Sequence, residues 1–203
     1  MRHTSGGASE AVLALARKHG ILRPRDLKAS GIPREYASRL WKRGLLVRHG
    51  RGLYALPESE PGAYWTFAEV ARLIPGGVVC LLSALSYHRL TTQLPHEIWL
   101  AIGRSAWRSR IHGPRLRIVH FAPSLLRQGV SVHQIQGVPV RVTDPARTVA
   151  DCFKYRNKIG QDVAIEALRA YWHRRGASMA DLERYAKLCR VAVVMRPYLE
   201  TLT

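Results

Sequence analysis

Arg34, Glu35, Ser38, Trp41 and Lys42 share one side of a helix if the segment from Pro33 to Arg43 is helical, with Arg39 and Arg43 at its flank. At 100° per residue the other side gathers Pro33, Tyr36, Ala37 and Leu40, an apolar stripe suited to docking on a core. Such a helix can enter a major groove. Arg34 and Arg39 can present paired donors to a guanine edge, Glu35 can accept from a cytosine amine, and Ser38 can bond a phosphate or a base. Lys42 and Arg43 add positive charge at the end of the same helix. Just beyond, Arg48, His49 and Arg51 surround the glycine-rich turn His49-Gly50-Arg51-Gly52, where they can meet the DNA backbone or the minor groove. A basic face on a short helix is most often only solvated. Here the helix, the turn and the hairpin are basic together.

The elements needed to hold these side chains are readable around them. Ser9 can cap a helix running to about His19, with Gly20 as its stop. A short helix from near Pro24 carries Leu27 and ends at Ser30-Gly31. Pro33 opens the third helix and Gly44 closes it. Leu45-Leu46-Val47-Arg48 and Leu53-Tyr54-Ala55-Leu56 then flank the glycine turn as a β-hairpin. Helix, short helix, turn, helix and hairpin is the order of a winged helix-turn-helix.

Composition points the same way. The 203 residues include 32 Lys and Arg against 14 Asp and Glu, a net charge of +18, with 47% hydrophobic content. That imbalance favours a polyanionic partner, nucleic acid before an anionic membrane. Residues 1–57 hold 12 of the basic and 3 of the acidic residues, and residues 58–203 hold the other 20 and 11. The turn-rich Pro57-Glu58-Ser59-Glu60-Pro61-Gly62 divides the two regions. We expect a winged helix-turn-helix over 1–57 and a second domain over 58–203, giving an α+β protein.

The second region has a mixed pattern. Helices are expected over Tyr64–Ile74 and Val78–Leu90, strands over Ile98–Ile102 and Leu116–Phe121, and a hairpin from Ser131–Ile135 and Val138–Val142 around Gln136-Gly137. From Asp144 onward the pattern is helical, with stops near Gly160, Gly176 and Pro197. Asp144-Pro145 is a cap followed by a first-turn proline, and Arg147 and Asp151 are spaced to pair on the helix surface for a few tenths of a kcal/mol.

No catalytic pattern stands out in this region. Neither phosphate-binding glycine motif is present, and there is no H-E-x-x-H, G-x-S-x-G or kinase loop. His88, His96, His112, His120 and His133 lack partners at ligand spacing, and Cys80, Cys152 and Cys189 form no C-x-x-C pair. Residues 98–143 contain no carboxylate, which argues against a metal-dependent nuclease. The expectation is therefore no enzyme, no metal and no cofactor, in a reduced cytoplasmic protein. No stretch approaches about 18 apolar residues, and Met1–Gly7 lacks an apolar signal core, so neither a membrane span nor a secretory signal is expected. The acid-free stretch carries Arg104, Arg108, Arg110 and Arg115, with Trp107 among them. This run extends a DNA footprint, binds an acidic partner, or is a solvated connector.

Three motifs carry a family resemblance: Arg48-His49-Gly50-Arg51-Gly52-Leu53-Tyr54-Ala55-Leu56-Pro57, Ser83-Ala84-Leu85-Ser86-Tyr87-His88, and Asp144-Pro145-x-Arg147-Thr148-Val149-x-Asp151. In this order, over nearly the whole chain, they resemble the AbiEi antitoxins of bacterial type IV toxin-antitoxin systems. The resemblance implies a winged helix that represses its own operon at inverted repeats in double-stranded DNA. It also implies a C-terminal domain that counteracts a co-encoded nucleotidyltransferase-like toxin, with or without direct contact. Some relatives carry a nuclease-like domain, and the missing carboxylates speak against that version here. Two other readings stay open: a module that binds an acidic partner protein directly, and a nucleic-acid enzyme with a dispersed site.

Overall fold

Proline and glycine punctuate the N-terminal region into helices and a small wing. The chain, described from a computed structural model, is defined over residues 5–49, 52–58, 64–104 and 114–202. Its described residues fold as two compact units: the first takes those up to Pro75 together with Pro114 and residues 133–140, and the second takes residues 76–104, 115–132 and 141–202.

In the first unit, α1 (Ser5–His19) begins four residues before the expected cap, so Ser9 lies inside the helix. Gly20, at φ +65°, ends it, and a Cβ there would lie 1.7 Å from the Gln136 carbonyl oxygen. Glycine is required at that point by conformation and by space. α2 (Pro24–Ala29) starts on a proline at its first position, where the missing N–H costs nothing. α3 (Glu35–Lys42) follows a turn whose Tyr36 and Ala37 amides donate to the Pro33 and Arg34 carbonyls at 3.1 and 3.3 Å. Ala37 and Leu40 are buried and Tyr36 half-buried as expected, whereas Pro33 is exposed because it precedes the helix proper.

β1 (Val47–Arg48) and β2 (Tyr54–Ala55) pair antiparallel, with Val47 opposite Ala55. Leu22 adds a third rung by exchanging both backbone bonds with Tyr54, at 2.8 and 2.9 Å. Val12, Ala16, Leu22, Leu27, Ala37, Leu40, Leu46, Tyr54 and Leu56 close the core beneath these elements. α4 (Trp65–Leu73) completes the unit.

A five-stranded sheet is formed by β3 (Val78–Val79), β4 (Ile98–Gly103), β5 (Leu116–Phe121), β6 (Val130–Ile135) and β7 (Val138–Thr143), in the order β5-β4-β3-β7-β6; most of it belongs to the second unit, while residues 133–140 of the β6–β7 hairpin belong to the first. β4 runs parallel to β5, β3 parallel to β7, and β3 antiparallel to β4. Gln136 and Gly137 both hold positive φ, at 50° and 68°, the backbone a two-residue hairpin turn demands. The expected helix from Val78 is corrected: Val78 and Val79 form the central strand, and only α5 (Leu81–His88) is helical. Two β-branched residues after Gly76-Gly77 pack between β4 and β7, and pairing on both sides outweighs the local apolar run.

α6 (Pro145–Lys154) is covered by α5, by α8 (Gln161–Trp172), by α9 (Met179–Leu188) and by α10 (Ala192–Glu200), with the short α7 (Arg156–Ile159) between α6 and α8. Every residue from Ala146 to Phe153 is buried. The surface pair expected of Arg147 and Asp151 is thereby corrected: both side chains are wholly buried, 3.0 Å apart. Arg147 Nη1 also donates to the Gln128 carbonyl at 2.7 Å, and the Cys189 thiol donates to Asp151 at 3.2 Å. Burial works to lower the Arg147 pKa, but the Asp151 carboxylate reverses this and holds the guanidinium charged.

Asp144 caps α6 by accepting the Arg147 amide at 2.8 Å and accepts the Tyr185 hydroxyl at 2.6 Å. Burial, with that carboxylate, pushes the Tyr185 phenol up to about 12. Pro197, expected to stop the last helix, sits within α10. The carbonyl it leaves unpaired belongs to Val193, which is 80% exposed and can be hydrated.

Two outcomes follow. Arg147→Met strands a buried carboxylate and should cost about 3–5 kcal/mol in urea unfolding, with a smaller loss for the Arg147→Met/Asp151→Leu double variant. A loss under about 1 kcal/mol for the single variant contradicts the buried pair. Tyr185→Phe should cost about 1.5–3 kcal/mol. Because the folded phenol pKa lies above the ordinary value near 10, Tyr185 stabilises fully below that pH and loses its contribution as pH rises through about 12. The alkaline stability profile of Tyr185→Phe should lack that loss.

Candidate nucleic-acid interface

Burial of Ala37 and Leu40 fixes the rotation of α3, and this decides which of its side chains face water. Arg34 at its N-cap, Glu35, Arg39, Trp41, Lys42 and Arg43 are exposed, and Ser38 is half-buried. The Arg39 guanidinium lies over the Tyr36 ring, 5.2 Å from its centroid. Arg48, on β1, lies over the Trp41 ring at 5.4 Å. Stacking on a ring face limits where a long side chain can go while leaving its N–H edges available to an acceptor. Trp41 thus joins α3 to the wing, so that among the described residues of these elements five cations (Arg34, Arg39, Lys42, Arg43 and Arg48) accompany a single carboxylate, Glu35.

His49 is placed differently. Its half-buried ring packs on Trp65, with centroids 4.4 Å apart. Burial lowers its pKa below 6.5, so the imidazole is neutral at pH 7 and adds no charge to this face. Arg51 lies outside the described residues.

Other cations of the unit are used within it. Asp26 accepts the Arg23 amide at 2.9 Å and faces the guanidinium groups of Arg23 at 3.3 Å and Arg72 at 3.6 Å. Arg72 also donates to the His19 carbonyl at 3.2 Å, and the Arg23 guanidinium donates to the Arg72 carbonyl. This ties the start of α2 to α1 and α4 and sets the angle at which the helix-turn-helix presents α3.

The second basic run does not form one patch at its described ends. Arg104 follows β4 and Arg115 precedes β5; both are exposed. β4 and β5 run parallel with Ile98 opposite Leu116, so the two arginines lie at opposite ends of the strand pair. Six residues at about 3.3 Å each put roughly 20 Å between those ends. Arg108, Arg110 and Trp107 lie outside the described residues. Among the described residues, no group of three His, Cys, Asp or Glu side chains is placed to hold a metal ion, and no helix is long and apolar enough to cross a membrane.

The pairing of Arg39 with Tyr36 has a sequence signal, an aromatic three positions earlier on a helix. The pairing of Arg48 with Trp41 has none, because it joins a helix to a strand.

Residues 10–57 match the family model for transcriptional regulators of the AbiEi antitoxin type. The resemblance read from the sequence is met over this segment, which contains α3 and the wing. Among solved structures, the chain is similar to the crystal structure of the RV2827C protein from Mycobacterium tuberculosis, with a TM-score of 0.51 and 14% identity over 98% of this chain and 83% of that one. At that identity the likeness is one of fold. No curated protein matches the chain.

The position of His49 is checked by NMR titration. Its imidazole should titrate below 6.5, and Trp65→Ala should return it to the ordinary value. Since the neutral form is favoured in the fold, the contribution of His49 to stability is present above pH 6.5 and lost as pH falls through the folded value. A pKa above 6.5 contradicts the packing on Trp65.

Proposed function

We propose that this regulator-type winged helix belongs to a cytoplasmic, non-enzymatic repressor that binds inverted repeats in the operator of its own operon. The observation that carries the reading is the α3–wing surface, where five exposed cations and the half-buried Ser38 accompany one exposed carboxylate on a segment matching AbiEi regulators. Arg34, Glu35, Ser38 and Arg39 read base edges in the major groove. Lys42, Arg43 and Arg48 hold phosphates on either side. Arg51 joins them from the wing tip, and His49 acts as a neutral donor or acceptor. The second region acts as the antitoxin part, counteracting a co-encoded nucleotidyltransferase-like toxin, and Arg104, Arg108, Arg110 and Arg115 serve as secondary contacts to DNA or to that partner. No cofactor takes part.

Fluorescence anisotropy with the operator duplex and a random duplex tests the DNA reading. If about 5–8 phosphates are contacted, log K should fall with log salt at a slope of roughly −5 to −7. Arg34→Ala should weaken operator binding by about 1–3 kcal/mol and relax sequence preference, whereas Arg48→Ala should weaken both duplexes alike and flatten the slope by about 1. An affinity indifferent to salt contradicts the proposal, and equal losses on both duplexes for Arg34→Ala contradict its base contact. Co-expression with the neighbouring gene product tests the antitoxin half: rescue of growth supports it and absence of rescue contradicts it.

A further inference from the structure

Away from α3, the second unit holds a cavity of about 730 Å³ at the carboxyl ends of the parallel strands β4 and β5. Arg104 leaves β4 there, His120 and Phe121 end β5, Lys154 and Tyr155 come from the end of α6, and Arg190 follows α9. Arg104, Lys154 and Arg190 are exposed, and none makes a salt bridge to a carboxylate among the described residues. The one carboxylate in the wall, Asp151, is wholly buried and paired with Arg147 at 3.0 Å, so the charge that the cavity offers to a ligand is positive. Bringing three cations to one concavity is unfavourable unless an anion answers them.

A second, independent observation concerns Arg190. It holds φ +59° in the left-handed region, at the position after a helix that glycine usually takes. A non-glycine residue there carries strain of about 1 kcal/mol or more, and such strain is common where a side chain has a task. Arg190 lines the cavity from that strained position.

The walls are not uniformly polar. Tyr155, Leu125 and Leu188 line the cavity along with the basic groups. Its volume falls in the range of about 300–1,000 Å³ that takes a small organic ligand, and parallel strands place ligands at their carboxyl ends.

We infer that this cavity binds a phosphate ester of mononucleotide size, with the phosphates on Arg104, Lys154 and Arg190 and the apolar part against Tyr155. Arg and Lys donate charge-assisted bonds to phosphate oxygens, and the half-buried Tyr155 ring, which already packs on Phe121 and carries Lys158 over it, adds apolar surface together with Leu125 and Leu188 for the rest of the ligand. The inference does not depend on the DNA reading of α3. A bound nucleotide would give the regulator a small-molecule input.

Isothermal titration calorimetry on the full chain tests it, with ADP, pyrophosphate and adenosine as probes. ADP should bind saturably and more tightly than pyrophosphate, and adenosine should not bind. Lys154→Ala/Arg190→Gly should weaken ADP by roughly tenfold or more, the loss of a charge-assisted bond. Arg190→Gly relieves the strained φ, and Lys154 is exposed, so the variant should keep the fold, which circular dichroism verifies. Its affinity for duplex DNA should equal that of the parent chain. Absence of saturable ADP binding overturns the inference. So does ADP binding that is unchanged in the double variant, or a loss of duplex affinity in that variant without loss of ADP binding. Equal affinity for pyrophosphate and ADP overturns the tyrosine contact.

Discussion

With 14 carboxylates against 32 Lys and Arg, the chain can neutralise only a minority of its cations, and where it does so shapes both units. Asp26 is placed between Arg23 and Arg72, at the junction of α1, α2 and α4. Asp151 is enclosed with Arg147 inside α6, and Asp144 closes the first turn of the same helix while accepting Tyr185. These three carboxylates serve the interior. Glu35 is the carboxylate that α3 itself places among its exposed cations, and none of Arg104, Lys154 and Arg190 around the cavity of the second unit makes a salt bridge among the described residues.

The internal pairs differ greatly in energetic weight. An i,i+4 ion pair on a helix surface contributes a few tenths of a kcal/mol, while removal of one partner from a buried pair costs several. Arg147 and Asp151 have the same spacing in either case. The difference comes from the helices around α6, which leave no face of it to water. Arg147 and Asp151 are then held by each other, by the Gln128 carbonyl and by the Cys189 thiol, while Arg147 Nη2 has no hydrogen-bond partner among the described residues. The ion pair makes α6 sensitive to substitution, and α6 is the element on which α5, α8, α9 and α10 converge.

Much of the first unit was readable from its residues because its boundaries are marked by proline and glycine. Pro24, Gly31 and Gly44 bracket α2 and α3, and the spacing of Ala37 and Leu40 shows which face docks. The start of α1 was not readable, because Gly6, Gly7 and Ala8 carry no apolar period that would extend the helix back past Ser9 to Ser5. In the second unit, β4 to β7 were marked by alternating or β-branched runs. β3 was hidden, since a two-residue strand abutting an apolar helix has no period of its own. Burial of the Arg147–Asp151 pair and the place of Pro197 inside α10 depend on neighbours distant in sequence. At the interface, residue types identified the cations but not their supports. Arg48 on Trp41 and the neutral setting of His49 on Trp65 both join separate elements.

The central claim is that the positive face of α3 and the wing is the surface that meets DNA. Its most direct measurement is an amide-detected NMR titration of the full chain with duplex DNA from the promoter region of its own gene. Shifts concentrated in residues 34–48 and at the wing, saturating at a fixed ratio of protein to half-site, are what the account predicts. Shifts confined to residues beyond 76, with α3 unmoved, would contradict it.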